Sequence, residues 1–137
     1  YIFEYIHNEL ESYQNSIKDC TFIHGDTVLS NIILDSNENP IFIDPRGLQN
    51  DTITPYGDRY YDYAKLYQSL IGYDEVMENT FIDLKYKESM IQTFESFFSK
   101  EEMRNIKIIC RSLLFTLIPL HNNEKCYKYY DLIKSIQ

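Results

Sequence analysis

Apolar side chains recur at three- and four-residue steps in five stretches of the 137-residue chain, and in short β-prone runs between the first two. Ile2, Phe3, Ile6, Leu10, Tyr13 and Ile17 mark an amphipathic helix over about 2–18. Arg59 to Ile71 reads as a second helix, because Asp58 can accept hydrogen bonds from its first-turn amides and Gly72 can end it. Three more helices follow: 83–99 on Leu84, Ile91, Phe94 and Phe98; 101–118 on Met103, Ile106, Ile109, Cys110, Leu113 and Leu117; and 124–135 on Tyr129 and Leu132. Asn122-Asn123 marks the link between the last two. These stripes read as core rather than as a cofactor box.

Between the first two helices the period changes. After a turn at Asp19, Thr21 to Ile23 reads as a short strand that delivers the turn His24-Gly25-Asp26. Asn31 to Leu34 and Ile41 to Ile43 flank Asp35-Ser36-Asn37-Glu38-Asn39-Pro40, a cluster of turn residues, and predict an antiparallel hairpin. Residues 47–57 have turn composition and no periodicity, which predicts a loop of the kind that carries recognition. The expected fold is one α+β domain over 1–137, predominantly helical, with the small hairpin carrying the chemistry.

Antiparallel pairing brings Asn31, which opens the first strand, beside Asp44, which follows the second, at the end next to Asp26. Two carboxylates and a carboxamide converging there are oxygen ligands that suit a hard cation such as magnesium. The remaining candidates are weaker. His7 lies near the stripe of the first helix and reads as structural; His121 lacks a partner at useful spacing; Glu101-Glu102 suits a helix N-terminus better than a metal.

His24-Gly25-Asp26, with Asn31 five residues after the Asp and Ile43-Asp44-Pro45 beyond, resembles the catalytic segment of the aminoglycoside phosphotransferase and choline kinase group, distant relatives of protein kinases. The match spans residues 21 to about 72; the later helices agree only in general character. The resemblance implies the C-terminal lobe of a kinase-like phosphotransferase that uses ATP (or GTP) and Mg2+ to phosphorylate a hydroxyl of a small molecule such as an amino sugar, a choline-like alcohol or a sugar. It makes Asp26 the catalytic base or hydroxyl-orienting group, Asn31 and Asp44 the metal ligands, and His24 a buried brace for the loop. Tyr61-Asp62-Tyr63-Ala64 resembles the Tyr-Asp-Leu-Ala segment of this group, which implies that Asp62 reaches back to the catalytic-loop backbone. A solvated Asp is the alternative, though Asp is a poor helix-interior residue. Arg46 and Asp58, on either side of the 47–57 loop, are candidate substrate contacts, and a structural ion pair is the equal alternative for Arg46.

Composition narrows the partners. Thirteen Tyr and eight Phe make disorder improbable, and a net charge of -8 excludes a nucleic-acid binder, which needs excess Lys and Arg for phosphates. An acidic surface tolerates cationic substrates, although solubility alone accounts for it. Cys20, Cys110 and Cys126 show neither metal-ligand spacing nor a disulfide framework, so they are expected as core thiols in a cytoplasmic protein. The most apolar stretch, Ile106 to Leu120, is interrupted by Lys107, Arg111 and Pro119, so no membrane partner is expected.

Two parts of a kinase-type site are missing from the chain: a Gly-rich loop and a strand Lys, normally supplied by an N-terminal lobe. The four glycines, Gly25, Gly47, Gly57 and Gly72, are scattered, and the sequence opens inside a helix without Met. The expectation is a fragment of a longer enzyme, nearly inactive alone, whose uncovered lobe interface invites self-association. A kinase-like binding or assembly domain without turnover is the alternative from another class. A metal-dependent phosphohydrolase is a third, for which no further His or Asp cluster completes a two-metal site.

Overall fold

The computed structural model describes residues 1–16, 20–49, 51–121 and 123–136, with the backbone alone for Leu48, Gln49 and Asn123. It is α+β and mostly helical. The chain runs through α1 (Ile2–Gln14), β1 (Thr21–Phe22), a 3₁₀ turn (Leu29–Asn31), β2 (Ile32–Leu34), β3 (Pro40–Phe42), β4 (Leu48–Gln49), β5 (Thr52–Ile53) and β6 (Tyr56–Gly57). It then forms α2 (Arg59–Ile71), α3 (Tyr73–Glu78), α4 (Leu84–Glu95), α5 (Lys100–Leu117), a second 3₁₀ turn (Ile118–Leu120) and α6 (Asn123–Ser135).

Helix α5 is the axis of the core and packs on α1, α2 and α6. Ile106, Cys110 and Leu114, four residues apart and so on one face, are fully buried against Ala64 of α2 and Tyr129 of α6. Complete burial of an aliphatic side chain of this size contributes about 1.5–3 kcal/mol. A buried ion pair, Arg111 Nη2 to Glu9 Oε2 at 2.6 Å, ties α5 to α1. The N-terminus of α5 is closed by a capping box: Ser99 Oγ accepts from the Glu102 amide and the Glu102 carboxylate accepts from the Ser99 amide. Helix α2 begins at Asp58, whose Oδ1 accepts from the Tyr60 amide at 3.0 Å. It ends at Gly72, whose φ of 133° lies where L side chains are strained.

The strands form three separate antiparallel pairs: β1 with β6, β2 with β3, and β4 with β5. In the central hairpin Ile32 faces Phe42, Ile33 faces Ile41 and Leu34 faces Pro40. Its turn is organised by Asp35, whose Oδ1 accepts from the amides of Asn37 at 2.7 Å and Asn39 at 2.9 Å. The same contacts, backbone and side chain of Asn39 first, hold the Asp35 carboxyl below its usual range.

Several expectations are corrected. Asn31 closes a 3₁₀ turn instead of opening the strand, which starts at Ile32. The 47–57 segment is not featureless: it contains the β4–β5 hairpin and β6, whose pairing with β1 spans the whole site segment. Helix α3 was not anticipated, and the helix expected over 83–99 ends at Glu95. Phe3 is exposed and stacks on His7 at 5.8 Å, off the buried stripe of Ile6 and Tyr13. Cys20 is exposed, Cys126 half-buried, and Cys110 alone of the three lies in the core. The helix expected over 2–18 ends at Gln14, with Asn15 as its C-cap, while Ile17, the turn at Asp19 and the Asn122 half of the last link lie outside the described residues. Among the described residues no helix is long and apolar enough to cross a membrane.

Candidate functional site

The turn from His24 to Leu29 is carried on one face of α2. Asp62, Lys65 and Ser69, spaced by three and four residues, point from that face to successive parts of the turn. The Asp62 carboxylate accepts the His24 amide through Oδ2 and the Gly25 amide through Oδ1, both at 2.7 Å. Thr27 Oγ1 donates to the Asp62 carbonyl, and the Leu29 amide donates to Ser69 Oγ at 3.2 Å. Lys65 Nζ lies 2.9 Å from Asp26 Oδ1, with side-chain exposures of 11% and 16% for the two partners. Gly25 is needed at its position, since φ is +81° and a Cβ there would meet the Arg46 backbone oxygen at 3.1 Å.

His24 joins this turn to the hairpin. Its Nε2 is 3.0 Å from the Ile43 carbonyl and its Nδ1 accepts from the Asp26 amide at 3.3 Å. The tautomer protonated on Nε2 satisfies both contacts. The ring is half-buried beside Phe42, less enclosed than the buried brace expected from sequence.

Asn31 sits between the turn and the hairpin. Its Nδ2 donates to the Asp26 carbonyl at 2.9 Å and lies 3.4 Å from Asp26 Oδ2, while its own carbonyl accepts the Ile43 amide at 2.9 Å. With the amide nitrogen turned to Asp26, the amide oxygen is left as the donor atom for a cation. Asp44, the residue after Ile43, is exposed and holds φ at 56°, a left-handed conformation uncommon for a non-glycine residue. An oxygen from Asn31 and the carboxylate of Asp44 make a hard donor set, which fits magnesium. Among the described residues no three His, Cys, Asp or Glu side chains gather as a metal site.

Arg46 Nε lies 3.6 Å from Asp26 Oδ2 and its amide donates to the His24 carbonyl at 2.8 Å. Asp58 makes its contacts elsewhere: besides capping α2, its Oδ2 accepts the Tyr13 hydroxyl at 2.5 Å, so both of its oxygens are engaged by the protein. Tyr61 and Tyr73 border the Asp26 group. Burial pushes both phenols up, and the Asp26 charge adds to the effect. Asp74 is also raised by burial, against the opposing effects of a Ser69 hydrogen bond and the Lys65 charge.

Sequence reasoning missed Lys65 and Ser69. The available signal was their spacing from Asp62, which puts all three on one helix face. His7 and His121 make ring contacts with Phe3 and Tyr129, respectively, away from this group. No family model matches the chain, and comparison with curated proteins and with solved structures gives no significant match.

Proposed function

We propose that this chain is the catalytic lobe of a phosphotransferase that moves the γ-phosphoryl group of ATP or GTP to a hydroxyl of a small molecule in the cytoplasm. The reading rests on one observation above all: Asp26 and Asn31 are joined at the mouth of a turn anchored by Asp62, and the hairpin brings Asp44 in directly after Ile43. This arrangement agrees with the resemblance to the aminoglycoside phosphotransferase and choline kinase group.

In this reading Asp26 orients the acceptor hydroxyl and receives its proton, while Asn31 and Asp44 present oxygens to Mg2+. The bound ion supplies charge neutralisation on the nucleotide phosphates. The contribution of the protein is mostly positioning and electrostatics, which suits a site fixed by short polar bonds to a helix. The exposed Arg46 guanidinium, loosely paired with Asp26, is available to an anionic group of either substrate. A preceding lobe would complete the nucleotide clamp.

A second reading is a kinase-like binding or assembly domain without turnover. It is favoured by the hairpin, where Ile33, Leu34, Ile41, Phe42 and Ile43 are all exposed. Nucleoside diphosphate release by the complete protein, measured with magnesium and a panel of amino sugars, choline-like alcohols, sugars and nucleosides, separates the two. Acceptor-dependent release supports phosphotransfer. Release absent with every acceptor, together with self-association or capture of a partner through the hairpin, supports the second reading.

A further inference from the structure

The ion pair between Lys65 and Asp26 has features that a surface ion pair lacks. Both side chains are largely enclosed, at 11% and 16% exposure, and the contact is 2.9 Å to one oxygen, Oδ1. The other oxygen, Oδ2, has long contacts: 3.4 Å to Asn31 Nδ2 and 3.6 Å to Arg46 Nε. The carboxylate is therefore gripped on one side and loosely approached on the other. Lys65 is itself held in place, since Ala64 beside it is fully buried and its Nζ lies 5.9 Å from the centre of the Tyr73 ring. Asp62 and Ser69 on the same helix face bind backbone atoms of the turn, whereas Lys65 touches the side chain that the proposed chemistry uses.

We propose that Lys65 is a positioning residue that fixes the rotation of the Asp26 carboxylate by holding Oδ1, so that Oδ2 receives the acceptor hydroxyl. This rests on the phosphotransferase reading and deepens it. In the transfer, the acceptor oxygen forms a bond to the γ-phosphorus and its proton passes to Asp26 Oδ2. The bond from that phosphorus to the bridging oxygen breaks, and its electron pair leaves with the nucleoside diphosphate. Lys65 keeps its contact with Oδ1 until the proton arrives. Without it, a carboxylate free to rotate would lose the near-attack geometry, a misplacement that costs on the order of a hundredfold in rate.

The test uses Lys65→Met, Lys65→Arg, Asp26→Asn and the double variant Lys65→Met/Asp26→Asn in the complete protein. For Lys65→Met the expected result is a kcat lower by about a hundredfold with the KM for magnesium nucleotide within a few-fold of wild type. Lys65→Arg recovers part of the loss because it retains the charge, and the double variant is no slower than Asp26→Asn alone, because Lys65 acts through Asp26. Thermal unfolding gives a readout independent of turnover. Lys65→Met and Asp26→Asn each lower Tm by stranding one largely enclosed charge, and the double variant lowers it by less than the sum. Lys65→Met turnover within twofold of wild type, or fully additive effects on rate or Tm, overturns the role of Lys65 while leaving the phosphotransferase reading in place. A wild-type protein with no turnover for any acceptor overturns that reading and this inference together, whatever the unfolding data show.

Discussion

Residues 59–136 bury Ala64, Ile106, Cys110, Leu114 and Tyr129 completely, whereas among the described residues of 21–57 the buried apolar set contains Val28 alone. The same stretch leaves Phe22, Ile33, Leu34, Ile41, Phe42 and Ile53 exposed, Ile53 at 87%. One region is held by packing, the other by hydrogen bonds and an ion pair to the face of α2. Apolar packing is strong but weakly directional, so it secures the fold. Short polar bonds contribute less each but fix atoms to fractions of an ångström, which is what a reacting site needs. Global stability and site geometry should therefore be separable by mutation.

The largest expected effect lies in the packed region. Leu114→Ala should destabilise the domain by about 2–5 kcal/mol, read from denaturant unfolding, because it empties a fully buried position. Turnover of the surviving folded fraction should be nearly unchanged. At the other region Asp26→Ala should lower turnover of the complete protein by roughly a hundredfold or more, with nucleotide affinity retained. Asp62→Ala tests the link between the two: it strands the His24 and Gly25 amides, so a loss of about 1–3 kcal/mol of stability should accompany a larger proportional loss of turnover. If Leu114→Ala and Asp62→Ala changed rate and stability in the same proportion, the separation would be wrong.

A pH dependence sharpens the comparison. Burial, followed by the Asp58 contact for Tyr13 and the Glu95 charge for Tyr67, raises those phenols above their usual value of 10.0, and burial pushes Tyr129 up to about 12. These groups are held neutral in the folded state more firmly than in the unfolded chain. Their stabilisation is complete below pH 10 and is lost as the pH rises through the folded values. The phenolate absorbance of these three groups should thus appear together with loss of helical circular dichroism, above the ionisation of exposed tyrosines such as Tyr1, Tyr86 and Tyr127, as a cooperative event of the packed region.

The smallest effect belongs to the hairpin turn. Asp35 is held below its usual value of 3.8 by Asn39 and then by Asn37, so its contribution is present above pH 3.8 and is lost as the pH falls below it. Asp35→Ala should loosen the turn amides in hydrogen exchange without a measurable change in Tm. A clear drop in Tm would mean that the hairpin carries more of the fold than its exposure suggests.

What was legible in the sequence follows the range of the interactions. The Asp58 cap, the Gly72 stop, the acidic start of α5 and the Asp35 turn depend on neighbours within a few residues, and composition and spacing reveal them. The hairpin itself follows from the turn between its strands, though the neighbour expected for Asn31 was Asp44, whereas its carbonyl accepts the Ile43 amide. Lys65 was missed because its partner is 39 positions earlier and its three-residue spacing from Asp62 was the one local sign that it shares the face carrying the turn. Strands β4, β5 and β6 span two residues each, too short for a period, and α3 has only six residues.

The central claim is that Asp44 and Asn31 hold the cation of a magnesium nucleotide while Asp26 serves the acceptor. Titration calorimetry of magnesium nucleotide into the complete protein, comparing wild type, Asp26→Ala and Asp44→Ala, tests it most directly. Asp26→Ala should bind within a few-fold of wild type, and Asp44→Ala should lose metal-dependent binding altogether. Equal affinity for magnesium nucleotide in wild type and Asp44→Ala would contradict the assignment of Asp44 and the site built on it.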